Sequence, residues 1–318
     1  MYYQILPDRK VPQVYLTYSY ESELQTQSTQ TQLKMGQIVE MNIRGGSSFG
    51  IVIKEVQTSE IHFDLTKIKP LTRILPFQLS EQQISFIFSL SQNTFNSLNL
   101  ICSATMQFLD LIGIKEMRLL EQEKEMQKNL INRDKTRAIL EKKITTKIIP
   151  NKPIFYLETE EIPITVRIRY IIRTNIDLFP TSSAKSRISL VIFPEKKLLD
   201  KIYKNFAKTE LSQIPDAKLL KFSGDKLKHS KETLKEILSE QPDKHLIIFS
   251  TRAGLFLPYS DIEQIILIDE SSSFHIQDQN QIYYDTRDAV FFLSQAHNSK
   301  LAFVSTTPSV RLFQFYDK

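Results

Sequence analysis

The apolar positions of this chain follow two different patterns, one before and one after residue 150. Before about residue 75 they form short stretches rich in Val, Tyr and Thr, such as Val11–Tyr20. Such residues favour pleated strands, so this region is predicted to form an antiparallel sheet. After Pro150 the apolar, β-branched residues form continuous runs, which are typical of strands buried on both faces of a parallel sheet. These runs are Ile154–Leu157, Ile188–Phe193, Leu246–Phe249, Ile265–Ile268 and Leu301–Val304.

Stretches with helical spacing separate the later runs. They are Lys196–Lys208, Ser230–Ser239 and Arg287–Ala296. Strands that alternate with helices indicate an α/β domain in which helices cover a parallel sheet. We therefore predict an α/β fold with a parallel layer in residues 151–318.

The N-terminal region contains a hairpin pattern. Gln37–Arg44 and Phe49–Val56 are strand-like, and Gly45-Gly46-Ser47-Ser48 separates them. The paired glycines supply the positive φ angles that a tight hairpin turn requires. With a further strand pair over Ile61–Ile74, this region is predicted to be a small antiparallel β barrel or sandwich.

Helical spacing begins after these strands. Ser80-Glu81-Gln82-Gln83 predicts a helix start. From Gly113 onward the residues are highly charged, which favours a solvated linker helix and leaves a partner-binding helix as the alternative. The predicted organisation is an N-terminal domain over residues 1–110, a charged helical linker over 111–150, and the α/β domain over 151–318.

The charge distribution excludes a polybasic arm. The chain of 318 residues has a net charge of +5, and residues 1–100 carry 8 basic and 8 acidic side chains. Binding to DNA would therefore depend on local clusters rather than on bulk charge. One such cluster is a predicted helix face, for which a solvated surface and a phosphate-binding surface are both open interpretations. Its members are Lys196, Lys197, Lys201 and Lys204.

The rare residue types narrow the chemistry further. The single cysteine, Cys102, can form neither an internal disulfide nor a zinc cluster, and we expect it to be a small buried residue. The 5 histidines are scattered, so no metal site is expected. Because no run of about 18 apolar residues occurs, and Met1–Lys10 lacks the apolar core of a signal peptide, we expect a cytoplasmic protein without membrane contact.

Glycine is scarce along the whole chain. Only 7 glycines occur, and none lies between Gly113 and Gly224. A phosphate-binding loop uses glycines to turn successive backbone N–H groups toward the phosphates, followed by a Lys and a Ser or Thr. No Gly-Lys pair occurs in the sequence. We therefore expect no ATP hydrolysis by a phosphate-loop mechanism, and no ATP, magnesium or zinc as a cofactor.

Five stretches, in a fixed order, carry a resemblance to a known family. They are "LVIFPE" (Leu190–Glu195), "FSTRAGLFLP" (Phe249–Pro258), "LIDE" (Leu267–Glu270), "YYDTRDAV" (Tyr283–Val290) and "VSTTPSV" (Val304–Val310). Their order and spacing resemble the first motor lobe of the PriA (primosomal protein N′) family, which are superfamily 2 helicases that restart stalled replication forks. The resemblance implies that residues 151–318 form a degenerate RecA-like lobe.

The N-terminal region is similar to the 3′-DNA-binding domain of the same family. The matching stretches are "ILPDR", the Gly-Gly hairpin followed by "FGIVI", and "LTKIKPLTRIL". The family recognises a 3′-terminal nucleotide partly through an Asp-Tyr pair, and Val14-Tyr15 stands at that place. The resemblance therefore implies a DNA-binding role for Tyr15, without the acidic member of the pair.

The resemblance also locates the place of the phosphate loop. The family has this loop after the first strand of the lobe, where this chain has Tyr156–Ile168. Ile164 then stands at the lysine position and Thr165 at the Ser or Thr position, with Glu158, Glu160 and Glu161 in the cradle. Carboxylates repel a triphosphate. Asp269 and Glu270 match the residues that hold magnesium and orient water, and we interpret them as relics.

Other matches fall on residues that would contact DNA. Thr251 and Arg252 match a phosphate-contacting motif, and the guanidinium suits phosphate. The resemblance further implies an aromatic loop that stacks on bases, formed by Phe274, Tyr283 and Tyr284 near Arg287. The alternative is that Arg287 and Asp288 form a local ion pair while the tyrosines are partly buried.

Three functions follow from these observations. The leading hypothesis is a PriA-like replication-restart protein that binds forked or single-stranded DNA and primosome proteins without hydrolysing ATP. The second is a DNA-dependent ATPase or helicase subunit that is completed by a second chain. The third is a protein-interaction scaffold without DNA binding.

Overall fold

The computed structural model describes residues 1–20, 33–62, 64–112, 153–157, 161–178, 187–224, 228–238, 245–278 and 282–310. The chain divides into two compact units. The first comprises Met1–Glu81 and Leu98–Ile149, and the second comprises Gln82–Ser97 and Pro150–Lys318. Residues 113–150 of the predicted linker lie outside the described residues.

The first unit is built on one antiparallel sheet of five strands, in the order β2-β1-β4-β3-β5. The strands are β1 (Tyr2–Pro7), β2 (Leu16–Ser19), β3 (Gln37–Ile43), β4 (Gly46–Val56) and β5 (Arg73–Gln78). The prediction of an antiparallel β unit is confirmed. Within the described residues the sheet does not close into a regular barrel, although an isolated bridge joins Ser19 to Pro70.

The tight turn of the predicted hairpin lies one residue earlier than expected. Arg44 has a φ of 50° and Gly45 a φ of 83°, so these two residues form the turn between β3 and β4. Gly46 pairs with Ile43 inside the ladder. The Asn42 side-chain oxygen accepts from the Gly45 N–H at 2.9 Å, which stabilises the turn and explains why an arginine is tolerated in a left-handed conformation.

The strand pair predicted over Ile61–Ile74 is wrong. Two short 3₁₀ helices, Thr58–Glu60 and Leu65–Lys67, precede the single strand β5. The Asp64 carboxylate accepts from the Thr66 N–H at 3.0 Å and so caps the second turn. This local side-chain bond competes with strand pairing.

One helix completes the described part of the first unit. In α2 (Leu98–Leu111) the Asn99 amide is buried and donates to the carbonyls of Pro7 and Val14, each at 3.2 Å. Cys102 is fully buried, as predicted. These contacts tie the helix to the loop that leads into β2.

The preceding helix, α1 (Glu81–Thr94), belongs from Gln82 onward to the second unit. Gln83 is fully buried there and donates from Nε2 to the Leu255 carbonyl at 3.2 Å. Its Oε1 accepts from His297 Nε2 at 3.2 Å. A polar residue on the buried face thus fixes the position of α1, because an unpaired buried amide would be costly.

The second unit contains a six-stranded parallel sheet in the order β6-β13-β10-β7-β9-β8. Five strands confirm the predicted runs: β6 (Ile154–Leu157), β7 (Arg187–Ile192), β9 (His245–Ser250), β10 (Gln264–Ile268) and β13 (Lys300–Ser305). The edge strand β8 (Ala217–Phe222) was not predicted. Lys218 and Lys221 interrupt its apolar residues, so it lacks the continuous apolar run.

Helices cover both faces of this sheet, as the α/β prediction requires. On one face α3 (Ile164–Leu178) and α4 (Lys196–Thr209) share a core with the central strands. On the other, α5 (Lys228–Leu238) packs against β8, and α6 (Thr286–His297) against β10 and β13. None of the helices in the described ranges is long and apolar enough to cross a membrane.

Gly50 in β4 provides a test of the sheet register. A Cβ placed there would lie 2.5 Å from Ile5 Cγ2 and 2.9 Å from the Leu6 carbonyl oxygen. We expect Gly50→Ala to lower the free energy of unfolding by about 1–3 kcal/mol through overpacking. Urea denaturation followed by circular dichroism measures this change.

Gly46→Ala is the matched control in the same strand. The nearest atom to a Cβ at Gly46 would be 3.6 Å away, an ordinary contact. We expect its unfolding free energy to stay within about 0.5 kcal/mol of the wild type. Equal effects at the two glycines would contradict the described packing of β4 on β1.

Candidate functional site at the carboxyl ends of the parallel strands

The parallel arrangement brings the loops after β6, β13 and β10 to one edge of the sheet. These three strands are neighbours, and each is followed by residues with candidate phosphate chemistry. Ligands of open α/β sheets bind outside the carboxyl ends of the strands. Thr165, the Asp269-Glu270 pair and Ser305–Ser309 therefore belong to one candidate region.

The acidic pair after β10 is divided between two environments. Asp269 has a φ of 54° and is half-buried, so the chain turns sharply at this residue. Glu270 is fully buried. Its carboxylate accepts from the Ser309 N–H at 2.9 Å and from the Ser309 hydroxyl. Glu270 thus anchors the segment after β13. A residue that orients an attacking water would have to expose its carboxylate to solvent, whereas the Glu270 carboxylate is buried and bound to Ser309.

Thr165 lies in the first turn of α3, directly after the loop that follows β6. Its side chain is buried. Of the three carboxylates predicted to occupy the phosphate cradle, Glu161 is exposed, and Glu158 and Glu160 lie outside the described residues. The strand–loop–helix order of a phosphate-binding motif is therefore present, without its glycines and lysine.

Arg287 at the start of α6 is engaged by the protein itself. Its Nε lies 2.8 Å and 3.0 Å from the two carboxylate oxygens of Asp285, and its Nη1 donates to the Glu270 carbonyl at 2.9 Å. Arg287 thus forms a local ion pair with Asp285, whereas the alternative interpretation of the sequence named Asp288 as its partner. The reason is local, because Asp285 also caps α6 by accepting from the Arg287 N–H.

Arg252 holds the loop that carries Phe274. Its Nη1 donates to the carbonyl of Phe274 at 3.1 Å and to that of Ile276 at 3.4 Å. Thr251, half-buried, begins the 3₁₀ helix Arg252–Phe256 after β9. The guanidinium predicted to bind phosphate therefore has a structural role in positioning this loop.

The predicted aromatic residues differ in exposure. Phe274 and Tyr283 are each 61% exposed, whereas Tyr284 is only 7% exposed. The Tyr284 ring packs edge-on against Phe256 at 5.9 Å, and burial raises the pKa of its hydroxyl. Tyr284 is therefore left out of the surface that could stack on bases.

A buried histidine supports the Phe274 loop from below. His275 is 1% exposed, and its Nε2 lies 3.0 Å from the Ile268 carbonyl, so that nitrogen carries the proton. Burial lowers the pKa of His275, which favours the neutral ring. The His275 carbonyl accepts from the Thr286 hydroxyl at 2.7 Å. Phe274 is thus projected from a turn that is fixed on both sides.

A third exposed aromatic residue was not predicted. Phe95 is 96% exposed and has a φ of 55°, a strained conformation for a residue other than glycine. The next residue, Asn96, donates to the Tyr283 carbonyl at 2.8 Å and accepts from the Tyr283 N–H at 3.0 Å. We refer to Phe95, Phe274 and Tyr283 as the aromatic surface. No sequence pattern indicated that Asn96 would place Phe95 beside Tyr283.

Several hydrogen bonds stabilise the left-handed backbone conformation of Phe95. The Ser91 hydroxyl donates to the Asn96 carbonyl at 2.7 Å, and the Asn96 amide also donates to the Thr94 hydroxyl at 2.6 Å. A left-handed residue costs on the order of 1–3 kcal/mol, and such strain persists only where the surroundings impose it. Phe95 is therefore kept in solvent by its neighbours.

Tyr15 lies in the first unit, immediately before β2. It is half-buried, and burial raises the pKa of its hydroxyl. The adjacent Val14 is 47% exposed. Recognition of a 3′ terminus by Tyr15 stays a prediction.

Metal ligands are not clustered in the part of the chain that the structure describes. No group of three or more His, Cys, Asp or Glu side chains is placed there to hold a metal ion.

Comparison with known proteins shows a distant similarity to solved structures. No family model and no curated protein matches the sequence. Among solved structures, the chain is similar to the crystal structure of the Pyrococcus furiosus Hef helicase domain, with 12% identity and a TM-score of 0.29. The similarity covers 69% of this chain and 38% of that chain. A similarity of this extent assigns no residues, so the site rests on the geometry described above.

The bond between Ser309 and Glu270 provides a test of the structural role of Glu270. We expect Ser309→Ala to reduce the free energy of unfolding by about 1–3 kcal/mol, because a buried carboxylate loses a hydroxyl donor. In a Glu270→Gln background the same substitution should cost less. Chemical denaturation of the four proteins gives the coupling energy.

Thr307→Ala serves as the control, because Thr307 is an exposed residue in the same segment. Its effect should stay within about 0.5 kcal/mol. A Ser309→Ala cost that does not change in the Glu270→Gln background would show that Glu270 does not anchor this segment.

Proposed function

We propose that this chain is a PriA-like replication-restart protein that binds forked or single-stranded DNA and does not hydrolyse ATP. In this proposal the second unit acts as a helicase-type lobe that has kept a nucleic-acid surface and lost nucleotide turnover. The first unit, including Tyr15, would contribute to DNA binding, and other primosome proteins would be its partners.

The aromatic surface is the observation that carries the proposal. Burying a large apolar side chain such as Phe typically stabilises a protein by about 1.5–3 kcal/mol. The exposed rings of the aromatic surface do not contribute this stability to the fold. Here the rings are held out by Arg252 and Asn96 rather than left on loose loops. Base–aromatic stacking contributes about 1–3 kcal/mol per base and needs a rigid, accessible ring.

The position of the aromatic surface supports the same proposal. Phe274 follows β10 by a few residues and so lies beyond the carboxyl end of a central strand. Tyr283 precedes the short strand β12 (Tyr284–Asp285), which pairs with β11 (Ile276–Gln277) directly after the Phe274 turn. Phe274 and Tyr283 therefore flank the two ends of one small antiparallel ribbon, which follows the carboxyl end of β10, where open α/β sheets bind their ligands.

The absence of ATP turnover rests on the sequence and on Glu270. No glycine or Gly-Lys pair is available at the place of the phosphate loop. The Glu270 carboxylate is already bound to Ser309. A backbone with a side chain at every position cannot readily turn its N–H groups toward phosphates.

Alanine substitutions in the aromatic surface test DNA binding. We expect Phe274→Ala and Tyr283→Ala each to weaken binding to a single-stranded oligonucleotide by roughly 5- to 150-fold, which corresponds to the loss of about 1–3 kcal/mol of stacking. Fluorescence anisotropy at fixed, low salt measures the dissociation constants.

Tyr170→Ala is the matched control for these variants. Tyr170 is 59% exposed on α3, so it resembles Tyr283 in type and exposure but lies outside the aromatic surface. Its affinity should equal that of the wild type. No binding of the wild-type protein to DNA at low salt would overturn the proposal in favour of a protein-interaction scaffold.

A phosphate-release assay tests the second candidate function, an ATPase completed by another chain. That candidate is favoured by the strand–loop–helix order, with Thr165 in the first turn of α3 and Asp269 at the same edge. We expect the purified protein with magnesium, ATP and DNA to release no phosphate above buffer. Release that disappears in Asp269→Asn would contradict this expectation and support the ATPase.

A further inference from the structure

Helix α4 presents a straight stripe of four lysines. Lys197, Lys201, Lys204 and Lys208 are all exposed, at intervals of four, three and four residues. At 3.6 residues per turn they lie within an arc of about 60° and extend over about 16 Å. We refer to these four residues as the lysine stripe. The helix face predicted from the sequence included Lys196 in place of Lys208, but at 3.6 residues per turn Lys196 lies about 100° around the helix from Lys197 and so outside the stripe.

The opposite face of α4 is locked into the core. Leu199 and Phe206 are fully buried, and Ile202 is 5% exposed. All three belong to the cluster that joins α3 and α4 to the central strands. Since the buried face is fixed, the helix cannot rotate to hide the lysine stripe.

The acidic residues of this helix and its end are neutralised by other elements. Asp200 accepts from Lys221 of β8 at 2.9 Å, and Lys221 also lies 5.3 Å from the centre of the Tyr203 ring. At the end of the helix, Glu210 pairs with Arg169 of α3 at 2.8 Å. Among the described residues, no ion pair is seen for the four stripe lysines. Their positive charge is therefore not compensated within the described structure.

Helix α5 shows a different arrangement. There Lys231 and Lys235 alternate with Glu232 and Glu236. Both glutamates also approach Lys218, at 4.0 Å and 2.6 Å. The mixed charges of α5 are typical of a solvated helix face, whereas the uniform charge of α4 is not balanced in this way.

We infer that the lysine stripe binds the phosphate backbone of a nucleic acid strand, as a contact surface separate from the aromatic surface. The inference rests on the proposed function. One strand of a duplex has a phosphate about every 3.4 Å along its axis, so the length of the stripe matches about four or five phosphates. Because none of the exposed large apolar residues lies on α4, this helix lacks the apolar face that inserts into a lipid surface.

The salt dependence of DNA binding tests the lysine stripe. For single strands, each neutralised phosphate contributes about 0.7 to the slope of log affinity against log salt. We expect Lys201→Gln/Lys204→Gln to reduce the magnitude of that slope by about 1.4. The control Lys231→Gln/Lys235→Gln has the same change in net charge on α5 and should leave the slope unchanged. Both are compared with wild type on one single-stranded oligonucleotide.

The outcomes separate this inference from the proposed function. The first outcome is that the wild type binds DNA, that Phe274→Ala weakens this binding, and that Lys201→Gln/Lys204→Gln on α4 keeps the wild-type salt slope. The lysine stripe is then not a phosphate-binding surface, and the proposed function stands. If the wild type binds no DNA at low salt, the proposed function itself fails. Stripe-dependent binding to poly-glutamate or to anionic lipid vesicles, with DNA binding unaffected by the α4 variant, would overturn nucleic acid as the ligand.

Discussion

Burial of continuous apolar strands on both faces is the constraint on which the second unit depends. Every residue of β9 and β10 is buried. Parallel strands of this kind need crossover connections, and the helices of those crossovers must cover both faces of the sheet. All six strands then end at the same edge. The loops that carry Arg252, Asp269 and Phe274 are therefore brought together by the packing of the sheet and not by their own sequence.

The polar residues at this edge are largely used to build it. Glu270 binds Ser309, Arg287 binds Asp285, and Arg252 binds two main-chain carbonyls. Residues of the types that would act on a nucleotide thus stabilise the loops, and the aromatic rings are what these loops expose. The bonds that occupy Arg252 also fix the turn from which the exposed Phe274 projects.

Prediction from the sequence succeeded where a pattern is local and failed where a partner is distant. The five apolar runs correctly predicted five strands, because a strand that is buried on both faces has a continuous run of apolar residues. Strand β8 was missed, since its lysines reach Asp200 on one helix and Glu236 on another and interrupt the run. The hairpin turn fell on Arg44-Gly45 instead of the glycine pair, because the Asn42 side chain stabilises the earlier position.

The sequence by itself determined the alternation of strands and helices, the scarcity of glycine that argues against a phosphate loop, and the spacing of most of the lysine stripe. Tertiary structure alone decided which of Tyr283 and Tyr284 faces solvent, which carboxylate Arg287 binds, and that Asn96 places Phe95 beside Tyr283. Periodicity is a property of neighbouring residues and can be seen in the chain. The partner of a side chain depends on crossover connections that bring together residues far apart in the sequence. That partner can therefore be identified only once the fold of the sheet is known.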